Sequence, residues 1–368
     1  MIPMLDIKAL HAPLSPELEN AMLKVLRSGQ YINGPAVAGF EAAFANWIGA
    51  CNVVGVSSGS DALLVSLMAL RVRPGDKIIT TPYSFFATTG AIVRLGAIPV
   101  FVDIEPETFA LDHTQIEQKI DADTVGILPV HLFGAPANME HICKIAKRHH
   151  LWVVEDAAQA LGAQFNDQHV GVLGDAGVFS FFPAKNLGAA GDAGAVVTQD
   201  DQIAHRIRQL RGHGASRRYH HQLIGGNFRM DTLQAAFLEV KLPFLNGWNT
   251  YRRNVAVRYT QSLAMLSHVT CPTDLPGHVY NQYVIQVPAH QRKMAIQALS
   301  EKSISSAVYY PTPLHLQPAL SYLRYRPGAF PVAEQLSQCA LALPINPTIT
   351  PDEQQRVIQT LTICVGER

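Results

Sequence analysis

The chain has 368 residues, is 48% hydrophobic, and carries equal numbers of basic and acidic residues, 29 of each. The apolar fraction excludes a disordered or fibrous chain, and the balanced charge leaves no basic excess to attract nucleic acid or anionic lipid. We find no apolar run long enough to span a bilayer and expect no signal peptide. Five scattered cysteines without CxxC spacing predict reduced thiols in a cytoplasmic protein.

The 15 histidines do not indicate a metal site. The pairs His149-His150 and His220-His221 are adjacent in sequence, so neither pair can present two ligands on one face of a helix. We therefore expect no bound metal.

The hydrophobic pattern predicts alternating helices and strands over the first two thirds of the chain. An N-terminal arm with an amphipathic helix ends at Gly29, and a second helix begins near Pro35. Short, continuous apolar runs then alternate with helical segments such as Met139 to His149, which is typical of parallel strands covered on both faces. The runs are 53–56, 98–102, 124–133, 151–155, 178–182 and 195–197. We expect an α/β fold with a mainly parallel sheet and ligands at the carboxyl ends of its strands.

The pattern changes beyond about residue 245. A long helix over 249–266 is followed by predicted strands at 280–287 and 307–310, with a helix over 291–302 between them. We therefore predict a large domain, residues 1–245 with the N-terminal arm, and a smaller α+β domain, residues 246–368.

The most distinctive stretch is 175–198, DAGVFSFFPAKNLGAAGDAGAVVT. Lys185 lies between an apolar run and a glycine-rich bend, and a lysine is almost never buried without a partner or a purpose. Desolvation lowers the pKa of an ammonium group, so the neutral amine becomes a nucleophile for carbonyl carbons. The stretch fits two interpretations equally well: a Schiff-base lysine, and a loop lysine whose flexible stem reaches water.

Two further segments point to the same cofactor. Asp156 closes an apolar run, and its carboxylate needs a cationic partner, such as the protonated ring nitrogen of pyridoxal phosphate (PLP); the alternative is a helix N-cap. The segment SSGS, residues 57–60, precedes a helix, where free N–H groups and the helix dipole favour a phosphate. A plain N-cap is again the alternative.

The sequence resembles the sugar-nucleotide aminotransferases of the DegT/DnrJ/EryC1/StrS family across nearly its whole length. The resemblance rests on the motifs SGQYINGP, SSGSDALL, PYSFFATTGAI, VEDAAQALGA, SFFPAKNLG, GGNFRMDTLQAA, YYPTPLHLQP and LALPINP. It implies the aspartate-aminotransferase-like fold (PLP-dependent fold type I) with a seven-stranded-type sheet. It also implies transfer of an amino group from L-glutamate, released as 2-oxoglutarate, to a nucleotide-linked keto-sugar.

The resemblance also implies roles for individual residues. Lys185 would form the imine with PLP and move the proton, and Asp156 would pair with the ring nitrogen. The other implied cofactor contacts are Gly59, Ser60 and Ser180 at the phosphate, Phe86 stacked on the ring, Gln159 at the phenolic oxygen, and Asn227 at the phosphate of the neighbouring subunit's cofactor. Phe86 has a core phenylalanine as its alternative interpretation, and Asn227 implies a homodimer with shared active sites.

The substrate is the least determined feature. With Phe182 before the proline, the motif SFFPAKNLG resembles that of the family members that aminate carbon 3 of UDP-linked 2-acetamido sugars. This resemblance implies a role in lipid A or O-antigen biosynthesis. The residues implied near the substrate are Arg217, Tyr219, Arg229, Tyr309, Tyr310 and His315. Arg217 and Arg218 suit bidentate contacts with a diphosphate, although a solvated basic loop is the alternative. Tyr309 stands where some uronate-processing members have histidine, which leaves an acidic sugar open.

Three other functions share some of these sequence features. Within the family, the enzyme could aminate carbon 4 or carbon 3 of a dTDP- or UDP-linked 6-deoxy keto-sugar. Outside catalysis, the chain could be a PLP-binding regulator, against which the intact Lys185, Asp156 and Ser180 argue. A nicotinamide dehydrogenase is disfavoured because no GxGxxG follows the first predicted strand.

Overall fold

The computed structural model describes residues 1–365. Its strands are β1 (Asn52–Val56), β2 (Lys77–Thr80), β3 (Ile98–Phe101), β4 (Thr124–Leu128), β5 (Trp152–Asp156), β6 (Gln164–Phe165), β7 (Gln168–His169), β8 (Ala176–Ser180), β9 (Gly194–Thr198), β10 (Ala215–Arg217), β11 (His220–His221), β12 (Tyr283–Gln286) and β13 (Ala340–Leu343). Its α-helices are α1 (Ile7–His11), α2 (Ser15–Ser28), α3 (Pro35–Ile48), α4 (Gly59–Ala69), α5 (Phe86–Arg94), α6 (Met139–His149), α7 (Asp201–Leu210), α8 (Thr232–Lys241), α9 (Leu245–Leu263), α10 (Ala289–Glu301), α11 (Pro331–Cys339) and α12 (Pro351–Val365).

A seven-stranded sheet organises the first part of the chain, in the order β1-β9-β8-β5-β4-β2-β3. The pairs from β8 to β3 are parallel, whereas β9 runs antiparallel to both of its neighbours. The prediction of an α/β fold with a mainly parallel sheet is therefore confirmed.

Both faces of the sheet are covered, which explains the continuous apolar runs. Val54 and Val178 pack into a cluster with helix α4, whereas Val53 and Phe179 pack on the opposite face with Phe40 of helix α3. Because successive residues of a strand point to opposite faces, a strand buried on both faces has no polar positions to alternate with.

The C-terminal part is built on the antiparallel pair β12 and β13, with α9, α10 and α12 packed around it. The N-terminus reaches this part, because Ile2 N–H donates to Ser303 O (2.8 Å) and Ile2 lies in the same apolar cluster. The boundary at residue 245 remains a prediction; α9 begins there. Within residues 1–365, no helix is both long and apolar enough to cross a bilayer.

The predicted strand over 307–310 is wrong. Ala307 forms only an isolated bridge with Ala342, and the partner of β12 is β13. The N–H of Tyr310 donates to the Tyr83 hydroxyl (2.7 Å) instead of entering a ladder, and Pro311 follows it. The side chain of Tyr83, in the loop after β2, thus takes the hydrogen bond that a strand would need.

Candidate active site

The site lies where the carboxyl ends of β1, β5 and β8 meet. Gly194, the first residue of β9, pairs with both Val56 and Ser180, and Asp156 pairs with Val178 in the neighbouring strand. This register brings the loop after β1, the end of β5 and the loop after β8 to one edge of the sheet, as expected for a ligand site in an α/β fold.

The start of α4 forms a cradle for an anion. The Ser58 hydroxyl accepts from Asp61 N–H (3.0 Å), so the N-cap interpretation of this segment is confirmed. The first helical bond runs from Ala62 N–H to Ser58 O (2.9 Å), and the N–H groups of Gly59 and Ser60 precede it. Such groups at a helix start can bind a phosphate.

Glycine is required where this helix start meets β8. A Cβ at Gly59 would lie 2.7 Å from Ser180 Cβ, closer than real contacts allow. The backbone of the helix start and the Ser180 side chain are therefore adjacent, which fits residues that share one phosphate group.

Lys185 lies in the loop between β8 and β9, and its N–H donates to Phe182 O (2.8 Å). Burial lowers the pKa of the Lys185 ammonium to about 8, and the negative charge of Asp156 opposes this shift. A pKa in this range leaves a substantial fraction of neutral amine near neutral pH, as a Schiff-base lysine requires.

Asp156 is only 5% exposed. Burial raises the pKa of its carboxyl group, whereas the Thr88 hydroxyl (2.7 Å), Ala158 N–H (3.2 Å) and the Lys185 charge favour the anion. The helix N-cap interpretation of Asp156 is wrong, because residues 157–163 form turns. The carboxylate instead lies at the end of β5, available to a cationic ligand.

Gln159 occupies the turn after β5 and has a fixed amide orientation. Its Oε1 accepts from Phe133 N–H (2.7 Å), and its Nε2 donates to the Tyr310 hydroxyl (2.9 Å). The Tyr83 hydroxyl accepts from Tyr310 N–H and donates to Tyr309 O, both at 2.7 Å. Burial raises the pKa of the Tyr310 phenol, so this residue stays a neutral partner for Gln159.

Phe86 is the first residue of α5 and is 39% exposed. This exposure argues against a core phenylalanine and leaves its ring available to a ligand. Phe85 and Phe182 are also exposed, so three aromatic rings of the PYSFF and SFFPAK motifs are open to solvent or to a partner.

The residues implied near the substrate lie in different environments. Arg217 ends β10 and Tyr219 lies in the turn that follows, both exposed, and Asn227 is exposed beside Gly212. Arg229 bridges to Val56 at the end of β1, next to the phosphate cradle. His315, by contrast, is buried, and its Nε2 lies 3.1 Å from Glu334 Oε1. Their contacts with a substrate remain predictions.

One group of three potential metal ligands occurs in the described part of the chain, Glu105, Asp112 and His113. His113 Nδ1 already bonds Glu105 Oε1 (2.8 Å), and Asp112 caps the following turn through Thr114 N–H (3.0 Å). Hydrogen bonding within the protein accounts for this group, and the expectation of no bound metal stays a prediction.

The sequence analysis did not identify the buried polar residues that stabilise the elements around the site. Glu155 and His131 are fully buried and bond each other (3.0 Å), and Glu155 also accepts N–H groups from Gly171, Leu173 and Gly174. A charged residue inside the apolar run of β5 was the available signal, because a buried carboxylate requires such partners. Thr88 and Tyr83 carried no comparable signal.

Comparison with known sequences agrees with this geometry. A profile of the DegT/DnrJ/EryC1/StrS aminotransferase family matches residues 14–362. The "Pleiotropic regulatory protein" of Geobacillus stearothermophilus is 45% identical over 98% of this chain and 97% of its own length. The UDP-N-acetyl-3-dehydro-alpha-D-glucosamine 3-aminotransferase of Acidithiobacillus ferrooxidans is 41% identical over 97% and 96%. The dTDP-3-amino-3,4,6-trideoxy-alpha-D-glucose transaminase of Streptomyces venezuelae is 38% identical over 98% and 95%.

Solved structures show the same fold. DesV of S. venezuelae superposes with a TM-score of 0.97 at 37% identity, covering 100% of this chain and 99% of that one. NtdA of Bacillus subtilis, which holds the cofactor PMP, superposes with a TM-score of 0.91 at 33% identity, covering 96% and 82%.

Proposed function

Because the chain belongs to the DegT/DnrJ/EryC1/StrS aminotransferase family, we propose that it transfers the amino group of L-glutamate to a keto-sugar linked to a nucleoside diphosphate. The enzyme is a PLP-dependent sugar aminotransferase. The finer proposal is amination at carbon 3 of a UDP-2-acetamido-3-keto-hexose, a precursor for lipopolysaccharide. It is supported by the similarity to the A. ferrooxidans 3-aminotransferase. The observation that carries the catalytic proposal is that Lys185, in the loop after β8, and the buried Asp156 carboxylate, at the end of β5, interact electrostatically at one edge of the sheet.

The residues at this edge fit the parts of PLP. Gly59, Ser60 and Ser180 would bind the phosphate, because the helix start offers free N–H groups beside the Ser180 hydroxyl. Asp156 would face the ring nitrogen, and Gln159 Nε2, which has a second proton besides the one given to Tyr310, would reach the phenolic oxygen. Phe86 would cover the ring face.

Lys185 would act twice. As a neutral amine its Nζ would hold PLP through the cofactor's aldehyde carbon, and when free it would move a proton at the substrate carbon. When bound, PLP would supply an electron sink at the substrate carbon. Asp156 would keep the ring nitrogen protonated, which requires its anionic form. Thr88, Ala158 and Lys185 all favour that form.

A homodimer with shared sites is the proposed assembly. Tyr219 and Ile224 are 82% and 92% exposed, and the exposed Phe85 and Phe182 belong to segments at the site. Large apolar side chains exposed on segments of the site are available to a protein interface. A second subunit would cover them, and Asn227 would reach the partner's phosphate site.

The substrate residues support the sugar-nucleotide proposal in part. Arg217 and Arg218 lie on an exposed hairpin, where guanidinium groups can bind a diphosphate in two-point contacts. Tyr309 and Tyr310 would approach the sugar as neutral groups. The buried His315 ring packs on Tyr325 and Phe330, and its Nε2 lies 3.1 Å from Glu334 Oε1, so its proposed contact with the sugar rests on the resemblance alone.

Two alternatives are supported by particular comparisons. The S. venezuelae transaminase supports a dTDP-linked 6-deoxy keto-sugar as substrate. The name of the G. stearothermophilus protein supports a regulatory role, although Lys185 and Asp156 are both present here.

The substrate is tested by incubating the enzyme with glutamate and a panel of 3-keto and 4-keto sugars linked to UDP or dTDP. We expect mass spectrometry to show one amino-sugar product, from the UDP-linked 3-keto-2-acetamido sugar. A product only from a dTDP-linked sugar would move the assignment to the first alternative. A regulator would give no amino-sugar product from any member of the panel.

A further inference from the structure

The buried hydroxyl groups of Ser84 and Thr88 form a chain of two hydrogen bonds that ends at the Asp156 carboxylate. Thr88 Oγ1 donates to Asp156 Oδ2 (2.7 Å), and Ser84 Oγ lies 2.9 Å from Thr88 Oγ1. A threonine hydroxyl has one proton and an ionised carboxylate only accepts, so Ser84 is the donor in the second bond. Ser84 is 5% exposed and Thr88 1%.

The direction of the Thr88 hydroxyl is specific to its position. A threonine in a helix commonly bonds a backbone carbonyl three or four residues earlier. Thr88 instead reaches a carboxylate 68 residues away. The neighbouring Thr89 is also buried, and its hydroxyl makes no hydrogen bond within the described part of the chain. The bond to Asp156 is therefore not a general property of threonines in α5.

We propose that Ser84 and Thr88 are positioning residues that orient Asp156 Oδ2 and hold its negative charge for the ring nitrogen of PLP. The inference rests on the proposed function, in which Asp156 faces that nitrogen. Helix α5 would then contribute to the cofactor twice, through the Phe86 ring on its face and through Thr88 behind its acidic partner.

The electrostatics of Asp156 give the direction of the effect. Burial raises the pKa of this carboxyl group, and the Thr88 hydroxyl is the first of the groups that oppose the rise, followed by Ala158 N–H, Lys185 and His131. Loss of the Thr88 hydroxyl raises the proton affinity of Asp156. In the holoenzyme, the proton that lies between Asp156 and the ring nitrogen of PLP would then shift towards the carboxylate. The ring would become less positive, which would weaken the electron sink and raise the pKa of the imine between Lys185 and the cofactor.

The test compares Thr88→Val, which keeps the shape, with Thr88→Ser, which keeps the hydroxyl. Thr89→Val is the matched control, since it removes a buried hydroxyl without a partner. The readouts are the pH titration of the visible absorbance of the holoenzyme and the rate of its reaction with glutamate alone. For Thr88→Val we expect the absorbance pKa to rise by about one unit and the rate with glutamate to fall about tenfold, with KM for glutamate unchanged.

Thr88→Ser restores both values if the hydroxyl is what matters, and Thr89→Val titrates like the wild type. The proposal is overturned if Thr88→Val titrates like the wild type, or if Thr88→Ser is as impaired as Thr88→Val. Should Thr88→Val fail to fold, Ser84→Ala decides, because loss of the outer hydroxyl must raise the absorbance pKa by a smaller amount. If the absorbance pKa of Ser84→Ala equals that of the wild type, the proposal is overturned.

The titration needs no sugar. A wild-type enzyme that aminates no keto-sugar would contradict the proposed function, while the same absorbance curves would still decide the role of Thr88.

Discussion

Gln159 Nε2 donates a hydrogen bond of 2.9 Å to the Tyr310 hydroxyl, and these residues are 151 positions apart. The bond joins the turn after β5 to the segment that carries Tyr309 and Tyr310, and the Tyr83 hydroxyl fixes that segment from the other side. The residue proposed to contact the cofactor is thus held by one proposed to contact the sugar.

Tyr310→Phe removes the acceptor of Gln159 Nε2. A neutral hydrogen bond contributes about 1 kcal/mol, so we expect the reaction with glutamate alone to slow by about fivefold, although no sugar is present. Tyr251→Phe is the control, because it loses a comparable bond to Ile349 O (2.6 Å) in the C-terminal part. Stopped-flow absorbance measures both rates, and equal slowing in the two variants would contradict the link to Gln159.

The pH dependence of cofactor capture follows from Lys185. Its pKa is lowered to about 8, so the neutral nucleophile increases as pH rises to about 8 and levels off above. The rate of visible absorbance gain, measured after adding PLP to apoenzyme, should follow that curve. Asp156→Asn removes the charge that raises the pKa of Lys185, so the midpoint should move to lower pH. A midpoint near 10.5, the ordinary lysine value, would contradict the assignment.

Gly59→Ala places a methyl group 2.7 Å from Ser180 Cβ. One of the two elements must move, so we expect PLP to bind about tenfold more weakly, a loss of about 1.4 kcal/mol. Gly247→Ala is the control, because nothing lies within 4 Å of its added Cβ and the residue lies inside α9. That variant should bind PLP normally and gain up to about 1 kcal/mol in stability. Fluorescence titration of apoenzyme with PLP gives both constants.

Lys241 is a buried lysine outside the proposed chemistry. Its Nζ donates to Gly188 O in the loop after Lys185 and lies 2.9 Å from His11 Nε2. Burial lowers the pKa of Lys241 to about 7 from an ordinary 10.5. Between these values the unfolded chain binds the proton and the folded chain does not, so the free energy of unfolding rises with pH over this window.

In Lys241→Met, the free energy of unfolding should no longer show this rise with pH. From pH 7 to pH 9 the wild type should gain about 2 kcal/mol over the variant, given about 1.36 kcal/mol per unit at most. Urea unfolding at the two pH values measures the difference. Lys144→Met, at an exposed lysine paired with Glu140, should differ from the wild type by the same small amount at both. A pH-independent difference for Lys241→Met would show that its amine does not titrate in this range.

The sequence was sufficient to predict the sheet and the two residues at its edge. β1, β5, β8 and β9 are short apolar runs because both faces of each strand are covered, and Lys185 and Asp156 stand out as charges beside them. Gly59 and Ser180 were implied by the resemblance, and the register of β9 explains why they meet.

The rest depends on contacts between distant parts of the chain. In the sequence, Thr88 looks like an ordinary helix residue and Tyr83 like an ordinary loop residue. Their roles become visible only when the fold brings Asp156 and Tyr310 next to them. The segment 307–310 has the composition of a strand, yet the Tyr83 hydroxyl takes its backbone donor and ALAL, residues 340–343, fills the ladder. Asp156 precedes Ala-Ala-Gln-Ala, a fair helix start by local preference, but turns follow because Gln159 is held by Phe133 N–H.

The central claim is that the enzyme transfers the amino group of glutamate to a nucleotide-linked keto-sugar and that this transfer requires Lys185. The most direct test supplies the enzyme with glutamate labelled with heavy nitrogen and the UDP-linked 3-keto-2-acetamido sugar, and weighs the product by mass spectrometry. We expect the label in the amino-sugar from the wild type and no product from Lys185→Ala, which should also lack the visible absorbance of the bound cofactor. Labelled product from Lys185→Ala at the wild-type rate would contradict the account.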